Sequence, residues 1–240
     1  MPHRVKKTRA ESTPQPRCDA PRDGAHEIRT RHAPQSRTSI LPDVSSAATT
    51  AGQTFPPPAE LTELLATRAL RRGTFTLASG RTASFYLDVK QVVLDARGAM
   101  LVGRAILHRL AALGPLPEAV GGMSIGADPV TGAVVTMAGV DGIPLKGFLV
   151  RKEAKGHGLQ RFVEGPVVPG QRVVILEDVI TTAGSSLVAI ARAREFGLVV
   201  ERVVTVVDRL AGGREALAAE GVPLEALVTL HDLGIAPDTP

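Results

Sequence analysis

The chain contains one cysteine and no long apolar run, and each shortage excludes a class of protein. Cys18 cannot form an internal disulfide framework, so we expect a reducing compartment and assign the cytoplasm. No apolar stretch approaches the ~18 residues that a transmembrane helix needs, so we expect no membrane partner. The first thirty residues are polar and basic without an apolar segment, and we therefore expect no signal peptide.

Apolar side chains are also scarce in residues 1–58, which hold nine of the eighteen prolines. Such a segment buries too little surface to offset its ordering entropy, which predicts a disordered N-terminal extension. Residues 1–58 carry nine Lys and Arg against five Asp and Glu, whereas residues 59–240 carry nineteen of each. Because the excess positive charge lies in the extension, we expect no nucleic-acid partner for the folded part. Five acids and no sustained amphipathic pattern favour a solvated tail or an overlong translation start over a transit peptide.

Strands alternate with helices in the rest of the chain. Leu61, Leu64, Leu65 and Ala69 recur at helical spacing, which predicts a helix from Ala59 to about Arg72, ended by Gly73. Short strands are predicted at 75–77 and 84–89 around a turn. Further strands are predicted at 119–122, 145–150, 173–176, 199–207 and 224–230, and helices at 100–113, 130–138, 186–196 and 215–220. This alternation implies right-handed crossovers and an α/β fold with a parallel sheet.

The most informative segment begins with the apolar run Val173–Leu176, which leads directly into Glu177 and Asp178. A loop of small and hydroxyl-bearing residues, 181–185, then precedes a predicted helix. Ligands bind at the carboxyl ends of strands in open α/β sheets, and a helix N-terminus suits a phosphate. Paired carboxylates suit a sugar diol or hydrated Mg²⁺, so the segment predicts a site for a phosphorylated ribose. A nucleotide triphosphatase is not favoured, because the loop has no P-loop lysine.

A second candidate site is the basic segment 151–161, in which five of eleven side chains are Arg, Lys or His. The segment has no hydrophobic period and contains two glycines, which predicts a loop. A cluster of cationic donors suits a polyanion such as pyrophosphate, and such a loop could close over a substrate. The alternative is a solvated charged loop.

Four segments resemble known sequences. Residues 173–186 resemble the phosphoribosyl-pyrophosphate (PRPP) loop of the type I phosphoribosyltransferases. The segments RKEAKGHG (151–158), GTFTLASGRTASFYLD (73–88) and VVDRLAGGRE (206–215) resemble the orotate phosphoribosyltransferase family, with matched order and spacing over about 59–235. The resemblance implies a phosphoribosyltransferase domain at 59–240, with a small N-terminal hood at about 59–92. A core at about 95–235 would hold a central, mostly parallel sheet flanked by helices.

The resemblance also implies the reaction and its residues. PRPP and orotate would be the substrates, Mg²⁺ the cofactor, and the active sites would be shared between the subunits of a homodimer. Arg151, Lys152, Lys155 and His157 would contact the pyrophosphate, and Glu177 and Asp178 would hold the ribose hydroxyls. The 5-phosphate would lie against Val179, Ile180, Thr181, Thr182, Ala183, Gly184 and Ser185, with Thr181 also touching the base. Lys155, His157 and Asp178 are the catalytic candidates, with Lys155 and His157 as alternative proton donors. No side chain is assigned as a metal ligand.

The base site is predicted from Arg209, which follows a strand and could meet the planar carboxylate of orotate with two parallel hydrogen bonds. A surface salt bridge is the alternative. Phe85 and Tyr86 would form an aromatic wall beside the pyrimidine, or are ordinary strand packing. Ala78 stands where the family often has a lysine, so Lys90 either supplies the missing cation or is a solvated residue.

The sequence leaves two alternative functions open. One is a phosphoribosyltransferase that acts on a purine or another base, which an assay of base consumption would distinguish. The other is a non-catalytic regulator that senses PRPP, which should show a basic face on the folded part. The balanced charge of residues 59–240 argues against the second rival.

Overall fold

Strands and helices alternate along residues 57–76, 82–153 and 162–236, which are the residues described by a computed structural model of the chain. The strands are β1 (Leu70–Thr76), β2 (Thr82–Leu87), β3 (Ala119–Met123), β4 (Lys146–Val150), β5 (Val163–Glu164), β6 (Arg172–Ile180), β7 (Val199–Asp208) and β8 (Leu224–Thr229). The helices are α1 (Ala59–Leu64), α2 (Lys90–Val93), α3 (Ala96–Ala112), α4 (Ala127–Val140), α5 (Gly184–Glu195) and α6 (Gly213–Ala219). A π-helical turn, Leu65–Ala69, continues α1.

The main sheet has six strands in the order β5-β4-β3-β6-β7-β8. All neighbours pair in parallel except β4 and β5, which pair antiparallel, so the predicted mostly parallel sheet is confirmed. The strand order changes direction between β3 and β6, because β4 follows β3 on one side and β6 lies on the other. Sheets of this type bind ligands in the crevice at the carboxyl ends of the two strands where the order reverses.

Apolar layers cover both faces of this sheet. Val174 and Leu176 point into a cluster that includes Ile106 of α3, whereas Val173 and Ile175 point into a second cluster that includes Ile190 of α5. Alternate side chains of a strand point to opposite faces, so the part of a strand that helices cover on both sides is apolar at successive positions. The apolar run that predicted this strand is therefore explained by its central place.

The small hood is an antiparallel hairpin of β1 and β2. The prediction of a helix from Ala59 to about Arg72 is correct for its start and wrong for its end, because β1 begins at Leu70 and pairs there with Leu87. Leu87 lies 17 positions after Leu70, so this pairing is not visible in the local periodicity that predicted the helix.

Strand β6 is longer than predicted. The apolar run suggested an end at Leu176, but pairing with β7 continues through Ile180, with Glu177 beside Thr205. Glu177 and Asp178 therefore lie within the strand rather than after it. Pairing with β3 stops at Ile175, so the acidic pair borders the crevice where β3 and β6 part. Polar partners allow these acids in a central strand: two serine hydroxyls donate to Glu177, and Lys90 lies near Asp178.

Two short elements, α2 and β5, were not predicted, because runs of four and two residues carry no usable periodicity. The predicted extension lies outside the described residues except for Pro57 and Pro58, and its boundary stays a prediction. Among the described helices, none has both the length and the apolar character needed to cross a bilayer.

Candidate active site

Glu177 is a buried carboxylate held by two hydroxyl groups. Its side chain is 4% exposed, and Oε2 accepts hydrogen bonds from Ser185 Oγ at 3.1 Å and from Ser186 Oγ at 3.0 Å. Burial raises the pKa of Glu177 from 4.5 to about 7; the Ser186 and Ser185 hydrogen bonds oppose the shift, and the Asp178 charge adds to it. The carboxyl group is therefore poised to gain or lose a proton near neutral pH.

Asp178 lies beside Glu177 and points into the crevice. Its Oδ1 accepts the Val179 amide hydrogen at 2.8 Å, and its Oδ2 lies 3.7 Å from Lys90 Nζ. Gly126, in the loop after β3, approaches so closely that a Cβ there would lie 2.7 Å from Asp178 Oδ1. The loop after β3 and the end of β6 thus meet at this carboxylate, and a side chain at position 126 would have to displace it.

Residues 181–183 join β6 to α5, so the predicted loop 181–185 is shorter than expected and its last two residues form the first turn of the helix. Thr182, Gly184 and Ser185 are exposed to solvent. Ala183 is buried and adopts a left-handed backbone conformation with φ 63° directly before the helix. The first N–H groups of a helix have no intrahelical acceptor, so the start of α5 presents donors to this loop. Hydroxyls and amide donors together form a cradle suited to a phosphate.

The predicted phosphate residues do not all share this environment. Thr181 is half-buried, whereas Val179 and Ile180 still belong to β6 and pair with Val207 and Asp208. Ile180 is 1% exposed, so its side chain belongs to the core. The exposed part of the segment begins after Ile180.

Lys90 connects the hood to the acidic pair. Its Nζ lies 2.9 Å from Asp88 Oδ1 in addition to its contact with Asp178. The Asp88 hydrogen bond raises the pKa of Lys90, with the Asp178 charge adding to the effect. Burial alone would raise the pKa of Asp88, but hydrogen bonds from Lys90 and Gln91 leave it lowered. Lys90 therefore stays charged beside the crevice and is not a freely solvated residue.

Arg209 follows β7 and reaches back over the hood. Its amide donates to Ile180 O at 2.9 Å, and its guanidinium lies 4.8 Å from the centre of the Phe85 ring. Phe85 is 2% exposed, whereas Tyr86 is 48% exposed on the opposite face of β2 and packs against Phe75, with ring centres 5.8 Å apart. The structure thus joins Arg209 to Phe85 and places Tyr86 on the outer side.

Arg151 and Lys152, the first two cations of the basic segment 151–161, directly follow β4. Arg151 and Lys152 line a cavity of about 700 Å³ together with Ser124 and Asp128 of the loop after β3. Ser124 Oγ donates to Asp128 Oδ1 at 2.9 Å. Arg151 is also 3.6 Å from Glu164 through its guanidinium. Lys155 and His157 lie outside the described residues, so their positions stay predictions.

Three residues of the site were missed from the sequence: Ser186, Asp88 and Asp208. The sequence predicts Ser186 only as the start of a helix. Its hydroxyl contacts Glu177, and the available signal was that the chain turns back between β6 and this helix. Asp208 is fully buried, accepts the Leu210 amide hydrogen at 2.8 Å and lies 3.5 Å from Arg214. Its hydrogen bond to the Leu210 amide holds the backbone on both sides of Arg209. In the sequence, the position of an acid directly before Arg209 could have indicated this role.

Solved structures identify the class of this fold. The orotate phosphoribosyltransferase of Mycobacterium tuberculosis H37Rv, solved with Fe(III) dicitrate, superposes with a TM-score of 0.66 at 42% identity, over 74% of this chain and 98% of that chain. The same protein solved with PRPP gives a TM-score of 0.63 at 37% identity, again over 74% and 98%. The fold is that of a type I phosphoribosyltransferase, which confirms the fold predicted from the sequence.

Sequence relatives narrow this class. No family model matches the chain. The orotate phosphoribosyltransferase of Rhodopirellula baltica is 54% identical over 183 residues, which cover 75% of this chain and 95% of that protein. The chain therefore belongs to the orotate phosphoribosyltransferase family, and the resemblance found in its sequence is confirmed.

Proposed function

We propose that this protein transfers the ribosyl 5-phosphate of PRPP to orotate, forming orotidine 5′-phosphate and releasing pyrophosphate. One observation carries the proposal: the acidic pair, the start of α5 and the residue after β7 are neighbours at the carboxyl end of β6. Ser185 Oγ donates to Glu177, and the Arg209 amide donates to Ile180 O. In the reaction, the bond from the anomeric carbon to pyrophosphate breaks and a bond to the orotate ring nitrogen forms. Such a site needs positioned charges more than a strong acid.

The ribose 5-phosphate is proposed to bind at residues 181–185. Thr182, Gly184 and Ser185 are exposed there, and the N-terminus of the twelve-residue helix α5 supplies amide donors and a favourable dipole. Gly213 of α6 packs against this loop so tightly that a Cβ would lie 2.7 Å from Thr181 O. This contact fixes the cradle from behind, which favours a preorganised phosphate site.

The ribose hydroxyls are proposed to bind the acidic pair. Asp178 is the more accessible acid, with a side chain 13% exposed, and it accepts hydrogen bonds as a carboxylate. Glu177 lies deeper and is already hydrogen-bonded to two serines. A sugar hydroxyl that donates to either acid favours its ionised form, so PRPP is expected to lower the pKa of Glu177 on binding.

The pyrophosphate is proposed to lie toward Arg151 and Lys152, which face the same cavity as Ser124 and Asp128. Arg offers a planar fork and Lys a point charge, and both suit a polyanion. Lys155 and His157 would complete this set, and either would supply a proton to the leaving group. Their part in the reaction rests on the resemblance alone.

Mg²⁺ is proposed as the cofactor and would enter with PRPP. Among residues 57–76, 82–153 and 162–236, no group of three or more His, Cys, Asp or Glu side chains is placed to hold a metal ion. A single carboxylate such as Asp178 suits Mg²⁺, which commonly uses one or two carboxylates together with substrate phosphates and water. Asp178 is the proposed protein ligand, and the bound ion would neutralise charge on the departing pyrophosphate.

Orotate is proposed to bind between the hood and the end of β7. Arg209 would pair with the carboxylate of the base, because its guanidinium is held over Phe85 and a fork matches a planar carboxylate. Lys90 is a second cation at this edge, anchored by Asp88. A purine carries no carboxylate, so this pair of cations favours orotate over the rival bases.

The reaction is tested by mixing the protein with PRPP, Mg²⁺ and orotate and following the loss of orotate absorbance. We expect orotate to be consumed, with adenine, hypoxanthine and uracil unchanged under the same conditions. Consumption of a purine instead of orotate would show that the protein is a purine phosphoribosyltransferase, which is the first alternative function. No turnover of any base, together with measurable PRPP binding, would support the second.

A homodimer with shared sites is proposed from the resemblance and can be tested by complementation. Lys155→Ala would disable the basic loop, and Asp178→Asn would disable the acidic pair. If the loop acts in the neighbouring subunit, hybrid dimers have one site with both defects and one with neither. Random mixing should then restore about one quarter of wild-type activity. No recovery after subunit exchange would show that each loop serves its own chain.

The cytoplasm is the proposed location, since the one cysteine of the chain suits a reducing compartment. Fractionation of the producing cells, with activity recovered in the cytosolic fraction, would support this assignment. Activity confined to an organelle or an extracellular fraction would overturn it.

A further inference from the structure

Arg192, on the side of α5, contacts both chain segments that flank residues 154–161. Its Nη1 donates to Arg151 O and its Nη2 donates to Lys152 O, the latter at 2.9 Å. The same guanidinium lies 4.1 Å from the centre of the Phe162 ring. One side chain thus contacts the chain on both sides of residues 154–161.

These two flanking segments also bind each other. The Arg151 amide donates to Phe162 O at 2.8 Å, directly beyond the antiparallel pairing of β4 with β5. Arg192 lies across this junction. The two Nη atoms of its guanidinium donate to the carbonyls of Arg151 and Lys152, and the guanidinium carbon lies over the Phe162 ring. A guanidinium can do both at once, because it is planar and offers donors along its edge.

The helix that carries Arg192 is also the helix that begins at the phosphate cradle. Gly184 starts α5, and Arg192 lies eight positions later, about 12 Å along the axis. A rigid helix therefore links the loop 181–185 to the backbone of Arg151 and Lys152.

We propose that Arg192 is a positioning residue that sets Arg151 and Lys152 relative to the phosphate cradle, so that both ends of PRPP meet prealigned groups. The inference rests on the proposed function, since it assigns Arg151 and Lys152 to the pyrophosphate. Arg192 acts through the backbone of these residues and touches no substrate itself.

Arg194 provides a matched control on the same helix. It is also an arginine that donates to a carbonyl, Glu220 O at 3.4 Å, and lies 3.9 Å from a Glu220 carboxylate oxygen. These contacts lead to the end of α6, away from the basic loop. Any effect of removing one arginine from α5 in general should therefore appear in Arg194→Ala as well.

The first measurement is steady-state kinetics. Arg192→Ala should lower kcat/KM for PRPP by about tenfold or more, mainly through a higher KM for PRPP, because misplaced groups lose binding energy. The KM for orotate should change by less than about twofold. Arg192→Lys should fall between wild type and Arg192→Ala, since it keeps the charge but loses the fork. Arg194→Ala should match the wild type.

The second measurement does not depend on activity. Limited trypsin digestion, with fragments identified by mass, reports how often the chain opens near Lys152. Arg192→Ala should be cut there at least about threefold faster than Arg194→Ala, although each variant lacks one tryptic site on α5. Should Arg192→Ala fail to fold, Phe162→Leu removes the ring contact alone and should show the same two changes to a smaller extent.

The two proposals fail in different ways. A wild-type protein that consumes no orotate would defeat the proposed function, while the digestion rates would still test the role of Arg192. An active protein in which Arg192→Ala and Arg194→Ala match in both KM for PRPP and digestion rate would overturn the positioning role. A lower kcat with unchanged KM and unchanged digestion would overturn it too.

Discussion

Replacing Glu177 by glutamine should make the protein more stable at alkaline pH and leave it nearly unchanged at acid pH. The native structure buries this carboxyl group and raises its pKa from 4.5 to about 7. In the unfolded chain the same group ionises freely at its ordinary value. Between these two values the folded protein holds a proton that the unfolded chain has lost, so stability falls as the pH rises.

The size of the effect follows from the two pKa values. Below pH 4.5 both states are protonated and Glu177 has no influence; above about pH 7 both are ionised and the penalty is constant at about 3 kcal/mol. Most of this penalty, about 2 to 3 kcal/mol, develops between pH 5 and pH 8. Glutamine does not titrate, and its amide can still meet the hydroxyls of Ser185 and Ser186, so the variant escapes this loss.

Urea unfolding of wild type and Glu177→Gln at pH 5 and pH 8 measures this difference. The difference in unfolding free energy between the two proteins should change between pH 5 and pH 8 by the growth of the Glu177 penalty. Any cost of replacing the carboxyl group by an amide is the same at both pH values and does not affect this change. Glu195→Gln, at an exposed position at the end of α5, is the matched control for the loss of one glutamate from this helix. A gap for Glu177→Gln that is equal at both pH values would refute the assignment of a buried, high-pKa carboxyl group.

Three further predictions concern the crevice. Asp178→Asn should lower kcat/KM for PRPP by about 10- to 100-fold with little change in melting temperature, as measured by initial rates and calorimetry; unchanged rates would remove Asp178 from the site. Arg209→Lys should raise the KM for orotate about tenfold and leave the KM for PRPP unaltered; equal changes in both would argue against a carboxylate contact. Gly126→Ala should lose activity while it stays folded, because its Cβ would displace the Asp178 carboxylate, whereas Gly139→Ala, with open space around it, should keep full activity and gain up to about 1 kcal/mol of stability.

Local patterns were enough to predict the mostly parallel sheet, and they also supply the hypothesis for the site. The apolar run before Glu177 marks a strand buried on both faces, and the alternation of such runs with helical periods fixes a parallel sheet. The site follows from the same pattern, because ligands of these sheets bind where strands end. The parts predicted best are those in which neighbouring residues alone determine the outcome.

Contacts between distant segments could not be predicted. Leu70 belongs to a strand because Leu87 pairs with it, although the preceding residues continue a helical period. The position of Arg209 over Phe85 joins residues from the hood and from β7. Such contacts depend on the packed arrangement, which a local pattern does not report.

The protonation behaviour of Glu177 was also beyond the sequence. Two adjacent acids after an apolar run predicted a charged site, and the structure instead buries one acid under two serine hydroxyls and leaves the other at the crevice. Burial, and with it the pKa, depends on which side of β6 each carboxylate faces. The roles of Lys155 and His157 stay predictions, because they lie outside the described residues.

A crystal structure of the protein grown with PRPP and Mg²⁺ would show where each part of PRPP binds. We expect the 5-phosphate at the start of α5, the ribose hydroxyls at Glu177 and Asp178, and the pyrophosphate toward Arg151. Density for PRPP outside the crevice between the ends of β3 and β6, or bound in the reverse direction, would contradict this expectation.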